Sequence, residues 1–374
     1  MPGPNAIVGL IARIEPAVDK AGAAELLRHN PDGVSVHFER DQPVRVMQGH
    51  VAAGVLDVLE GLRRLRAPAY VEVRPDTREI TRLLIPLVTR VTKIDDGADG
   101  LSVELEASHA RHLLKRDSLS YADLLKTLRD AAAQRTTLAV TETDAHEIID
   151  ARPWADDSTG SPSATGGAKG AKGAKGARRP GFFARLFRWI WWPFWCCGCI
   201  SPAKAQQYFN IASAPTCNPL TVPPPCIPFL YPDDGCWARA HEMCRLMIAA
   251  GASPKKVWID GSLHTPTKNN PACFVNWGWH VAPTLCVRLS FWHCEDMVID
   301  PSLFTTPVSQ ATWKGVQGDP NATLTPTAWT VYWRNVIPTD PAYTDTNFRL
   351  AYYRLQLQNR SLLPAGPPPY AFCP

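Results

Sequence analysis

The first 195 residues contain no cysteine, and only one tryptophan, Trp154, precedes Trp189. That absence denies the N-terminal half a thiol nucleophile and a disulfide framework, and concentrates thiol chemistry in the second half. The one CxxC spacing, within Cys196-Cys197-Gly198-Cys199, lacks a partner cluster, so the spacings do not read as structural zinc. The Ala-Lys-Gly repeats at 168–176 lack the Gly-Lys-Ser/Thr order of a phosphate loop. No apolar run approaches the roughly 20 residues that span a bilayer, and the mean hydropathy of −0.16 excludes a polytopic protein.

Charge is equally uneven. Residues 1–150 carry a net −4, residues 151–204 carry +7, and residues 205–374 carry +1. The basic surplus therefore lies in the middle, and neither flanking part has the footprint of a nucleic-acid binder. A chain of 374 residues holds two or three domains at roughly 100–200 residues each. The expected organisation is an accessory α+β domain at 1–150, a flexible Gly/Ala/Lys-rich linker at 151–180, an aromatic and cysteine-rich segment at 181–204, and an α+β catalytic domain at 205–374.

In the first part, Val34–Phe38, Ala69–Val73 and Leu101–Leu105 alternate like strands, and Thr137–Thr141 is β-rich. Val51–Leu65 and Tyr121–Ala133 carry helical periodicity. No motif there attaches to chemistry. His109 and His112 are placed on one helix face and read as a surface pair rather than a metal site. In the third part, Trp189 to Ile200 is an uncharged run of tryptophan, phenylalanine and cysteine beside a basic flank. Such a run suits an interfacial anchor, so residues 181–200 are expected to contact a membrane surface. With no signal peptide at the N terminus, a secreted effector or a membrane-associated protein is favoured over a plain cytoplasmic one.

The sharpest feature is Asp233-Asp234-Gly235-Cys236-Trp237-Ala238-Arg239-Ala240-His241. Apolar residues recur at Trp237, Ala240, Cys244, Met247 and Ile248, and Gly251 supplies a stop, so Cys236 opens a helix. Unpaired N–H groups and the dipole at that end are expected to lower the thiol pKa. Asp233 and Asp234 read as capping acids. Further on, Asn276-Trp277-Gly278-Trp279-His280-Val281-Ala282-Pro283 and Met297-Val298-Ile299-Asp300-Pro301 bracket a β-hairpin that sets His280 beside Asp300. A thiol on a helix with histidine and aspartate on neighbouring strands is a nucleophile, a base and an orienting acid. Trp237, Trp277 and Trp279 are placed to wall an apolar cleft. Asp260, after Val257-Trp258-Ile259, competes for the acid's place, His241 points away from the thiol, and His264 and His293 sit at the surface. Beyond the nucleophile, seven cysteines after residue 204 suffice for disulfides in an oxidising compartment.

The strings DGCWARAHEM, WGWHVAP and MVIDPSLF resemble the bacterial protein-glutamine glutaminases, over about residues 205–374 only. That resemblance implies a transglutaminase- or papain-like α+β fold and a Cys236–His280–Asp300 triad. It also implies conversion of protein-bound glutamine to glutamate with release of ammonia, through a γ-glutamyl thioester, on a glutamine-containing protein substrate. No metal or organic cofactor is implied. The same triad also serves transglutaminases and cysteine peptidases, and a membrane-tethered binding module with an inactive site is the reading from another class. The folded part preceding this region is expected to block the cleft until the linker is cut, or to act as a delivery module.

Overall fold

The structure is a computed structural model that describes residues 5–18, 22–97, 100–155, 198–218, 225–334 and 336–374. The expected linker from 156 onward and nearly all of the aromatic segment lie outside the described residues, and with them the expected membrane contact. Within the described residues the architecture is mixed helix and strand, without a helix long and apolar enough to cross a membrane.

The N-terminal part is built from three-stranded antiparallel sheets. Ala69–Val73 lies between Ala6–Gly9 and Ile80–Leu84, and Val34–Phe38 lies between Ile11–Glu15 and Val44–Val46. Gly100–Leu105 lies between Val91–Asp96 and His112–Lys115, and Leu138–Glu142 between Leu87–Thr89 and Ile148–Pro153. Alternation sets these faces: Val34, Val36 and Phe38 point inward while Ser35 and His37 lie between them, half-buried. The helix Ala52–Leu65 buries Leu56, Leu59 and Leu62, one residue per turn, along the stripe its sequence pattern draws.

The C-terminal part is a four-stranded antiparallel sheet in the order Cys294–Val298, Phe274–Arg288, Lys255–Pro266, Thr323–Ala328. The helix Cys236–Ala249 packs on the long central strand Phe274–Arg288. A register shift between Asp260 and Leu263 twists the neighbouring strand away from it. Among the described residues, the disulfides Cys199–Cys286, Cys217–Cys226 and Cys273–Cys373 tie down the loops of this part.

The two parts share one apolar core. The long helix Thr344–Ser361 lies between Cys236–Ala249 and the N-terminal Ala52–Leu65. Close approach is possible because Gly54 and Gly61 face it: a Cβ at either position would run into Leu362 or Leu355. At the same interface Tyr352 Oη donates to the carbonyl of Pro86 (3.0 Å), and Asn359 Nδ2 to that of Leu83 (2.9 Å). Arg360, buried, pairs with Asp144 of the N-terminal part (2.7 Å) and with Asp233 (2.6 Å), three residues before Cys236.

Candidate active site

The local chain dictates where Cys236 sits. Gly235 adopts φ 80°, and a side chain there would strike the ring of Tyr353, so glycine is required immediately before the helix. Neither Asp233 nor Asp234 caps the helix: Gly235 occupies the cap position without a side-chain cap, and Asp234 Oδ1 accepts only the Gly235 N–H there (2.8 Å). Arg360 and Asn270 hold the Asp233 carboxylate, and its carbonyl accepts the Trp277 indole N–H (3.0 Å). Cys236 therefore begins the helix with its thiol turned to the sheet, buried to 1% exposure.

His280 lies on the central strand and Asp300 just past the end of the next, the hairpin relation the sequence suggested. His280 Nε2 donates to Asp300 Oδ2 at 2.9 Å, and Trp313 Nε1 donates to the same oxygen at 2.9 Å. Burial pushes the Asp300 carboxyl up, but His280 and these two hydrogen bonds outweigh it and leave it below its usual value. With Nε2 spent on the carboxylate, His280 Nδ1 is buried without a hydrogen-bond partner among the described residues. A ring nitrogen of His280 lies within 4.8 Å of the Cys236 sulfur. The indole of Trp277 stacks on the imidazole, ring centroids 4.5 Å apart, and fixes its plane.

Several other sequence candidates fall elsewhere. Asp260 pairs with Arg334 in a two-oxygen contact at 2.6 and 2.8 Å, away from His280. His241 is buried against Lys256 Nζ (3.1 Å), and His264 and His293 are exposed, as expected.

The largest departure from expectation is His109. Neither it nor His112 is on a helix or at the surface: both are buried, His109 before and His112 within the strand His112–Lys115. Long-range packing brings His109 into the site, and no local pattern could have announced it. Its Nδ1 donates to Asp234 Oδ1 at 2.7 Å and lies 3.6 Å from the Cys236 sulfur. Its ring is enclosed by Trp279, Trp277 and Trp237 at centroid distances of 5.1, 5.4 and 5.9 Å. The backbone around it joins the sheet. His109 O accepts the Gly278 N–H (2.9 Å), Arg111 N donates to Asn276 O (3.1 Å), and Ala110 bridges Trp277 in antiparallel fashion. Residues 109–111 thus complete a free strand edge, as an added peptide strand does. The Arg111 guanidinium ends on Ser262 Oγ (2.8 Å) and the Gly261 carbonyl.

Electrostatics follow from this closure. Burial dominates at Cys236 and raises the thiol far above its ordinary value, overriding the nearby Arg239 guanidinium and the Val281 N–H that favour thiolate. The lowered pKa anticipated from the helix terminus is thus reversed here, because water is excluded. Burial likewise holds the His109 imidazole down at about 4 despite its partner Asp234, with His280 and Arg239 adding to the effect. Burial works to raise Asp234 too, but His109 and the Gly235 N–H prevail and hold it at about 2. Arg239, 2% exposed and bound to the carbonyls of Tyr231 and Asp234, is the buried cation behind the site.

Three groups among the described residues have the donor types of a metal site; in one, Cys199, Cys286 and Cys294, the sulfurs are engaged in disulfides, which leaves two. Cys236, His109 and His280 are one, but Asp234 and Asp300 already hold one nitrogen of each histidine. His112, Glu142 and His146 are the other, in the N-terminal part, where Glu142 bridges the two imidazoles at 2.5 and 3.1 Å.

A family model described as glutaminase matches residues 205–317. The crystal structure of a protein-glutaminase is 30% identical, covers 47% of this chain and 98% of its own, with a TM-score of 0.37. The solution structure of protein-glutaminase from Chryseobacterium proteolyticum is 28% identical over 47% of this chain and 97% of its own, with a TM-score of 0.37. A crystal structure of pro-protein-glutaminase is 22% identical, covers 78% of this chain and 99% of its own, with a TM-score of 0.48. No curated protein matches the chain.

Proposed function

The chain belongs to the protein-glutaminase family, a class of hydrolases, and from that premise we propose that residues 205–374 deamidate protein-bound glutamine through Cys236, His280 and Asp300. The observation that carries the reading is a helix-terminal thiol within 4.8 Å of an imidazole whose other nitrogen is bound to a buried carboxylate.

A carboxamide is a weak electrophile, so the chemistry needs a thiolate. His280 Nδ1 takes the thiol proton, and Asp300 stabilises the imidazolium and keeps its orientation. Sulfur adds to the side-chain carbonyl carbon. The Cys236 backbone N–H, free at the helix start, faces the developing oxyanion. The C–N bond then breaks, His280 gives its proton to nitrogen, and ammonia leaves a γ-glutamyl thioester. Water attacks that thioester with His280 as base, the S–C bond breaks, and thiol and glutamate are restored. Trp237, Trp277 and Trp279, the indoles around the His109 ring, line the channel for the glutamine methylene stem.

With residues 109–111 in the cleft the enzyme is closed, and cutting between residues 156 and 197, where Lys169, Lys172 and Lys175 lie, begins its opening. The three disulfides suit an oxidising compartment outside the cytoplasm. The test is full-length chain digested with a lysine-specific protease and then mixed with a glutamine-rich protein. Ammonia release, with amide-to-acid mass gains and neither crosslinks nor backbone cuts, is expected, and Cys236→Ala abolishes it. Release undiminished in Cys236→Ala, or amine incorporation in place of hydrolysis, refutes the assignment.

A further inference from the structure

One buried charge beside the nucleophile has no part in the triad. Asp234 is 6% exposed, yet its Oδ1 gathers three N–H groups: that of Gly235 from its own helix start, and two from the segment in the cleft, the His109 backbone N–H (3.3 Å) and the His109 ring N–H (2.7 Å). The first lies within one chain segment and persists when the cleft is empty. The other two contacts come from the occupant, and the ring N–H is a side-chain donor delivered 3.6 Å from the sulfur. An sp² nitrogen in that position is where a side-chain amide nitrogen stands when its carbon is within reach of the thiol, because the amide C–N bond is only about 1.33 Å long.

We propose that Asp234 reads the carboxamide: its Oδ1 accepts an N–H from the target glutamine's side-chain amide and so selects amide over acid. This deepens the glutaminase reading above and rests on it. The physical case has two parts. A buried acceptor left empty is penalised, so a side chain without an N–H donor is rejected. Nitrogen also gains positive character as the C–N bond breaks and His280 protonates it, so a neighbouring carboxylate binds the transition state more tightly than the ground state. The product works in the opposite sense. A glutamate carboxylate in the same place faces the Asp234 carboxylate at close range, and like charges repel it from the site. Arg239, whose Nη1 donates to the Asp234 backbone carbonyl, lies buried beside it.

The experiment compares two peptides that differ only at the target, one with glutamine and one with glutamate γ-methyl ester. Both pass through the same thioester, but only the amide has an N–H for Asp234. Full-length wild type and Asp234→Asn, digested identically, are assayed for kcat/KM on both. The ratio of the two values is independent of the fraction of active enzyme. Asparagine keeps the oxygen for the Gly235 N–H and removes the negative charge that strengthens the bond to the amide; if that variant does not fold, Asp234→Ser takes its place. The amide-to-ester ratio is expected to fall at least about tenfold, the low end of the effect of a hydrogen bond to a charged group. A ratio within twofold of wild type, whether both activities fall together or neither does, overturns the role of Asp234 and leaves the glutaminase reading intact. Wild type that releases no ammonia from the glutamine peptide overturns both.

Discussion

Replacing His109 with alanine in the full-length chain should expose the Cys236 thiol. The imidazole is fully enclosed, and it supplies a side-chain link between the N-terminal part and Asp234. The imidazole is neutral at the assay pH, and taking a hydrogen-bond donor from a buried carboxylate costs on the order of 3 kcal/mol. If that loss falls on the docked state of residues 109–111, the undocked population grows about a hundredfold, at 1.4 kcal/mol per factor of ten. A second effect acts in the same direction. The vacated space is edged by Asp234, His280 and the sulfur, polar enough to admit water. Hydration removes the burial that raises the thiol, and each pKa unit recovered increases thiolate tenfold below the pKa. The assay is iodoacetamide labelling near pH 7.5 under native conditions, with peptide mapping to separate Cys236 from Cys244, the other free cysteine among the described residues. Labelling of Cys236 should accelerate at least about a hundredfold in His109→Ala, with Cys244 unchanged. Equal Cys236 labelling rates in wild type and variant would refute the claim that His109 closes the site.

Two of the buried histidines, His109 and His146, respond to pH in opposite senses. His109 is held at about 4, against about 6.5 in the unfolded chain, so the folded state binds fewer protons and stability falls as pH drops from 6.5 to 4. The slope approaches 1.4 kcal/mol per unit, and His109→Gln should flatten it in denaturant titrations across that window. For His146, burial is outweighed by Glu142 and Asp233, and the imidazole rises to about 9. Its contribution is therefore complete below 6.5 and lost as pH rises to 9, and His146→Gln should reduce the decline of the thermal midpoint over that interval. Arg360→Met leaves Asp233 buried without its cation and should destabilise the full-length chain by about 3–5 kcal/mol, read by thermal or urea unfolding.

Local features of the sequence are the most readable. Val34–Phe38, Ala69–Val73 and the helices at 52–65 and 121–134 follow from patterns that repeat every two residues or along one helical face. The hairpin joining His280 to Asp300 is legible for the same reason, since Glu295-Asp296 lies a short loop away from Arg288. Partners brought together only by tertiary packing are not. Cys236 and His109 are 127 positions apart, and Asp234 meets His109 across a fold that nothing at Ser108-His109-Ala110 signals. Trp313, which donates to Asp300 from the short helix Gln310–Gly315, is hidden likewise. The thiol's electrostatics escape a local reading for a related reason. A helix terminus can be read from neighbouring residues, but the exclusion of water around it depends on which distant segment lies on top.

Leu355 and Leu362 rest on Gly61 and Gly54, where a bare backbone offers them its closest approach. Once the N-terminal part departs, those leucines and the aromatic rings beside them lose their cover and face water. A separated N-terminal fragment carries the matching bare surface and a cleft-filling histidine with nothing to fill. Each piece is then less soluble than the whole, and destruction of the smaller piece removes any route back. On the proposed reading, opening is a single irreversible event, timed by the first cut rather than by the concentration of substrate.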